Sequence, residues 1–215
     1  MNNKGAFLNL LIIFSIITLF ILIFEIKYLY LVWNLALAII PFVCAMGISY
    51  KNTNSLLKFI LAILWLFFYP NAIYIFTDFI HLTNLNFYSF SDNIVKYNMD
   101  FHIWLILVIT CLSFVLGSAY SYLSFDIIFK NFKTKNKQYI RYLSLILLSI
   151  LTGIAIFIGR FMRFNTWDII KNPIKLYNLS IANINTNNIR LILLFSCFHL
   201  ITMMIFETIR LRRDR

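Results

Sequence analysis

Residues 68–82 of the chain read FYPNAIYIFTDFIHL, and within them Asn71, Tyr74, Asp78 and His81 fall at i, i+3, i+7 and i+10. At 100° per residue of an α-helix, the four occupy an arc of about 80°, a polar stripe on an otherwise apolar run. Spaced three apart, Asp78 and His81 are within side-chain reach of each other. Such a pair could work as an acid–base couple with the carboxylate orienting the imidazole, bind a divalent metal, or hydrogen-bond a neighbouring helix. Two candidate ligands are too few for a metal assignment. Asp78 and His81 are therefore the candidate catalytic residues, with Asn71 and Tyr74 as candidate ligand-binding neighbours.

A second constellation is IGRFMRFNTWDIIKNP, residues 158–173. Arg160 and Arg163 share a face if the stretch is helical, and paired guanidinium groups hold phosphate or carboxylate in bidentate fashion. Trp167 suits a membrane interface, Asp168 is a partner for either arginine, and Asn165 lies between Arg163 and Trp167. Arginines at a helix end also serve as snorkelling anchors.

The elements that must position these groups are membrane spans. The 215 residues are 61% hydrophobic and only 13% charged, whereas a soluble domain is about a quarter charged. So little charge cannot cover a globular surface, and the bilayer must be the solvent. A span needs about 20 mostly apolar residues. Six segments meet this: 6–24, 29–49, 56–76, 101–123, 139–159 and 190–209. The joining loops are too short for a separate folded domain. The expectation is an all-α integral membrane bundle, one polytopic domain over residues 1–215. The first apolar run exceeds a signal-peptide core and no small-x-small cleavage site follows it, so it reads as a retained helix.

The net charge of +11 does not imply nucleic acid, because the lysines and arginines cluster at helix ends. Twelve fall on the side shared by both termini and seven on the other, which by the positive-inside bias places both termini in the cytoplasm. On this topology the loops after spans 3 and 5 are both extracytoplasmic, so the two polar constellations share one membrane surface and could form one shallow site. The Lys-rich stretch KNFKTKNK beside Asp126 reads as positive-inside topology. Glu207 and Arg210 read as a surface pair, and the Asn-rich 171–189 segment as a mobile loop. The 77–100 segment, with Asp92, Lys96, Asp100 and interleaved aromatics, reads as lying partly along the interface. Asn34 and Pro41, seven apart on one face of span 2, read as features of a bent packing helix.

His199 falls near the middle of span 6, where an ionisable side chain is a functional hypothesis and a neutral imidazole equally suits a helix–helix hydrogen bond. Cys44, Cys111 and Cys197 lie in three different spans without metal spacing and read as small hydrophobes. No phosphate-cradling Gly-rich loop, GxSxG, HExxH or dinucleotide fingerprint occurs, and no cofactor is expected. Spans 1, 4 and 5 carry almost no ionisable residue at mid-depth, which weighs against an ion-coupled transporter.

The stretches YLVWNLALAIIP, PNAIYIFTDFIHL and GRFMRFNTWDIIKNP resemble, in order, the three signature blocks of domain-of-unknown-function family 1361, bacterial multi-pass membrane proteins. The chain departs from that pattern at Ile73, where a second proline is usual, at Phe164 for Trp and at Thr166 for Ser. The resemblance implies a location in the bacterial cell membrane. It marks Trp33, Asn34, Asn71, Tyr74, Asp78, His81, Arg160, Arg163, Asn165, Trp167 and Asp168, and it supplies no activity. The richness in Ile, Asn, Lys and Phe fits an AT-rich bacterial genome. Three functions stay open on the residues. One is a binding or transport-related protein whose extracytoplasmic polar site holds a lipid headgroup, small anion or partner. Another is a small membrane-embedded enzyme acting on a lipid-linked or phosphate-bearing substrate through Asp78 and His81. The third is an assembly subunit whose motifs only pack helices.

Overall fold

A computed structural model describes residues 3–91, 94–130, 137–164 and 171–213. Six of its helices are long and apolar enough to cross a membrane: Gly5–Phe24, Ile26–Ser49, Ser55–Asn84, Phe101–Lys130, Gln138–Phe161 and Thr186–Arg212. These match the six expected spans, and the fold is the expected all-α membrane bundle. The chain divides into two compact units, one of Met1–Ile39 and Asn71–Tyr120, the other of Ile40–Pro70 and Ser121–Arg215.

The first unit contains α1 (Asn3–Phe24), a 3-10 turn at Ile26–Tyr28 and the start of α2 (Leu29–Ser49). It continues with α4 (Asn71–Tyr74), a 3-10 helix at Ile75–Asn84, strands β1 (Tyr88–Ser91) and β2 (Ile94–Tyr97), and the start of α5 (Phe101–Lys130). Its core is built from Ile17, Ile21, Leu31, Leu35, Ile73, Ile75 and Ile106, and the Tyr120 hydroxyl on α5 donates to the Leu10 carbonyl of α1 at 3.1 Å. Leu8, Ile12, Leu19 and Ile23 of α1 are exposed, as suits side chains solvated by lipid.

Span 3 is not one regular helix. α3 (Ser55–Phe68) ends with Tyr69 as its C-cap, because Pro70 has no N–H to continue the ladder. The ten residues Ile75–Asn84 are 3-10, unusually long for that geometry. Their β-branched content weakens α-helix propensity. Thr77 and Thr83 turn their hydroxyls onto the carbonyls three residues earlier, Tyr74 at 2.6 Å and Ile80 at 2.7 Å, in step with three residues per turn. The same segment then forms an antiparallel hairpin pairing Tyr88 with Tyr97 and Phe90 with Val95. No strand was anticipated there, since four-residue strands carry too little periodicity to read.

The second unit contains the rest of α2, which runs through Pro41 as helix to Ser49, together with α3 and the rest of α5. It is completed by α6 (Lys137–Ile156), a π-turn at Phe157–Phe161, α7 (Pro173–Ala182) and α8 (Thr186–Arg213). α6 and α8 pack antiparallel, with Arg141 on Glu207, Ser149 on His199 and Gly153 on Ser196. α7 occupies part of the segment read above as a mobile loop. Of the cysteines, Cys44 is buried, while Cys111 and Cys197 are exposed on their helices.

Candidate functional site

In the first unit, the Asn34 amide donates to Asp78 Oδ2 at 2.6 Å, and Asp78 is buried. Asn34 thus does more than pack α2: it holds the carboxylate of the 75–84 helix in place. The 3-10 geometry redraws the expected stripe. At 120° per residue, positions three apart eclipse, so Asp78 and His81 share one ridge with Ile75 and Asn84. Tyr74 falls on the neighbouring ridge with Thr77. The His81 ring meets Tyr30 edge-on at 5.0 Å. Asn71, at the start of α4, has a buried side-chain nitrogen without a hydrogen-bond partner among the described residues. Truncating Asp78 to Ala takes the acceptor from the half-buried Asn34 amide, a change worth about 1 kcal/mol. Thermal unfolding in detergent should show that loss for Asp78→Ala, and a smaller loss for Asn34→Leu/Asp78→Leu than the two single changes sum to.

Glu25 was not singled out by the sequence pattern. This carboxylate is buried, with Oε1 2.7 Å from His102 Nδ1 and Oε2 3.7 Å from Lys27 Nζ. His102 is further fixed by its amide, which donates to Asp100 Oδ1 at 2.9 Å. A signal was available: Glu25 is the only acidic residue before Asp78 and sits in the tight turn between two spans.

Arg160 and Arg163 belong to the second unit. Their expected helical face does not form. The α6 helix widens into the π-turn at Phe157–Phe161, and Arg163 adopts φ 57°, the left-handed region where a helix end usually carries Gly. The strain of an L side chain there costs about 1–2 kcal/mol, and such outliers concentrate at functional sites. The turn is closed by the Met162 amide on the Phe157 carbonyl and the Phe164 amide on the Ile158 carbonyl, both at 3.3 Å. Arg160 is half-buried and Arg163 exposed. Asn165, Trp167 and Asp168 lie outside the described residues. Beyond them, Lys171 and Lys175 line a shallow pocket of about 620 Å³ with Asn172, Pro173, Ile174, Asn178 and Leu179. On α7, Ile174, Tyr177 and Ile181 are exposed at i, i+3 and i+7, one apolar stripe beside the lysines.

The second unit also holds a buried ionic cluster where surface charges were expected. Arg141, Glu207 and Asp126 are all at most 5% exposed. Arg141 donates to both Glu207 oxygens, at 2.9 Å through Nε and 2.7 Å through a terminal nitrogen, and to Asp126 at 3.0 Å. The Tyr122 hydroxyl donates to Glu207 at 2.9 Å, Arg210 reaches it at 2.6 Å, and Lys130 pairs with Asp126 at 2.7 Å. Glu207 and Arg210 are therefore part of a buried network joining α5, α6 and α8, and not a surface pair. In membranes, buried charges that pair across helices in this way are the rule. Higher on α8, His199 is fully buried, its Nδ1 2.7 Å from Ser149 Oγ.

Six helices long and apolar enough to cross a membrane define a multi-pass α-helical membrane protein. The model of the family described as "Protein of unknown function (DUF1361)" matches residues 33–203, and the chain belongs to that family. No curated protein and no solved structure matches it significantly.

Proposed function

We propose that this membrane protein binds anionic, phosphate-bearing lipid headgroups with the segment after its fifth span, on the extracytoplasmic face, with both termini in the cytoplasm. The observation that carries the reading is α7: Lys171 and Lys175 flank a shallow pocket while Ile174, Tyr177 and Ile181 stand exposed beside them. An exposed apolar stripe bordered by cations is what lies in a headgroup layer. Arg163, exposed and held at a left-handed backbone position, adds a fork of donors matched to phosphate. Five of the seven cations on that side lie between spans 5 and 6, a local concentration that serves an anion better than it serves topology.

Each basic residue near an anionic surface contributes about 1 kcal/mol. The triple variant Arg163→Gln/Lys171→Gln/Lys175→Gln should therefore bind short-chain phosphatidylglycerol about a hundredfold more weakly when detergent-purified protein is titrated. Phosphatidylcholine should bind weakly to both forms. Inorganic phosphate binding as tightly as phosphatidylglycerol would move the reading to a free anion, and equal affinity for the two lipids would end it.

A further inference from the structure

The seam between α6 and α8 contains a nitrogen with an unfilled valence for hydrogen bonding. Ser149 Oγ donates its one proton to the Leu145 carbonyl at 2.7 Å, so towards His199 Nδ1, also at 2.7 Å, it can only accept. In the neutral ring the proton must then sit on Nδ1, which leaves Nε2 as a bare lone pair. His199 is fully buried, midway along α8, and Nε2 has no partner among the described residues. Tyr69 stands edge-on to the ring at 5.6 Å, but its hydroxyl is turned towards Met203 Sδ, at 3.8 Å.

A second orphan lies in the same seam. Thr152 is fully buried and its hydroxyl also lacks a partner among the described residues. In contrast, Ser149, Ser196, Thr202 and Thr208 all turn back onto the carbonyl four residues earlier. Residues 149, 152 and 153 share one face of α6. The pairs Ser149–His199 and Gly153–Ser196 bracket Thr152 in sequence, which puts it on the flank of the α6 face that meets α8. A buried acceptor and a buried hydroxyl, each unsatisfied, are what an internal water bridges.

A metal is the poorer occupant, since no group of three or more His, Cys, Asp or Glu is placed to hold one among the described residues. A protonated imidazole would in turn leave its second N–H unpaired. The nearest carboxylate along α8 is Glu207, two turns away and already engaged by Arg141, Arg210 and Tyr122.

We infer that His199 Nε2 anchors a small hydrogen-bond donor, a water molecule, whose second contact is the Thr152 hydroxyl. The resulting chain, Ser149–His199–water–Thr152, crosses the seam at the middle of the bundle. An imidazole that donates through one nitrogen and accepts through the other is also the unit that passes a proton by exchanging tautomers.

The test is solid-state NMR of the full chain in bilayers, labelled with 15N-histidine. The protein has three histidines, and His81→Gln and His102→Gln assign the spectrum. The expected result is a protonated Nδ1 and an unprotonated Nε2 for His199. The Nε2 signal should lie upfield of a free imidazole nitrogen and receive magnetisation from water. In Thr152→Val, Nε2 should move to the free position and lose the water transfer, whereas Thr152→Ser should keep both. A proton on Nε2, a wild-type Nε2 at the free position, or water transfer undiminished in Thr152→Val would each overturn the inference.

Discussion

Glu207→Ala should strongly destabilise the protein. It removes the acceptor for Arg141, Arg210 and Tyr122 at once and leaves Arg141, Arg210 and Lys130 to share Asp126. A buried charge stripped of its partner costs about 3–5 kcal/mol, because desolvation has been suffered without the compensating attraction. For a chain of this size that is a fall of roughly 10 °C in unfolding temperature, readable by thermal denaturation in detergent. Arg141→Met/Glu207→Met should recover most of the loss. It removes both charges together, and replacing a buried pair with apolar side chains is often neutral. Asp126 would keep Lys130 at 2.7 Å and Arg210 at 3.9 Å. An unfolding temperature unchanged by Glu207→Ala would mean the cluster is solvated like a surface pair.

The second large effect is expected at Gly153. A Cβ at this position would collide with the Ile192 carbonyl and Ser196 of α8, and a backbone carbonyl cannot turn aside as a side chain can. Close approach through small residues is how membrane helices gain their packing. Gly153→Ala should cost about 1–3 kcal/mol through overpacking, and Gly153→Leu should lose the folded form altogether. Gly5→Leu is the control, because nothing lies within 4 Å of a Cβ there. Size-exclusion profiles of detergent extracts after brief heating would rank the three variants.

The spans were legible because each is a run of about 20 apolar residues, a signal that needs no knowledge of partners. What pairs across the bundle was not. Asn34 and Asp78 are 44 residues apart, and Arg141 and Glu207 are 66 apart. A count of cations by side treats Arg141 as a topology marker whether or not it is buried. The stripe through Asn71, Tyr74, Asp78 and His81 assumed 100° per residue; Pro70 and the threonine-backed 3-10 helix replace it with eclipsed ridges. The regular helical face expected of Arg160 and Arg163 is lost for a related reason, since Arg160 lies in a π-turn and Arg163 is itself the left-handed residue. Glu25 was hidden by its position in a four-residue connection, where a carboxylate reads as solvated until His102 is brought to it by the fold. The polar stretches themselves stood out because in a mostly apolar chain the exceptions are easy to see.

The most direct test of the lipid-binding reading is native mass spectrometry of the protein released from nanodiscs of equal phosphatidylglycerol and phosphatidylcholine. Wild-type protein should leave the disc carrying phosphatidylglycerol. Arg163→Gln/Lys171→Gln/Lys175→Gln should lose this enrichment, and Lys51→Gln/Lys58→Gln, on the opposite side of the expected topology, should retain it. Wild-type protein carrying the two lipids equally, or enrichment that survives the triple substitution, would contradict lipid binding at this segment.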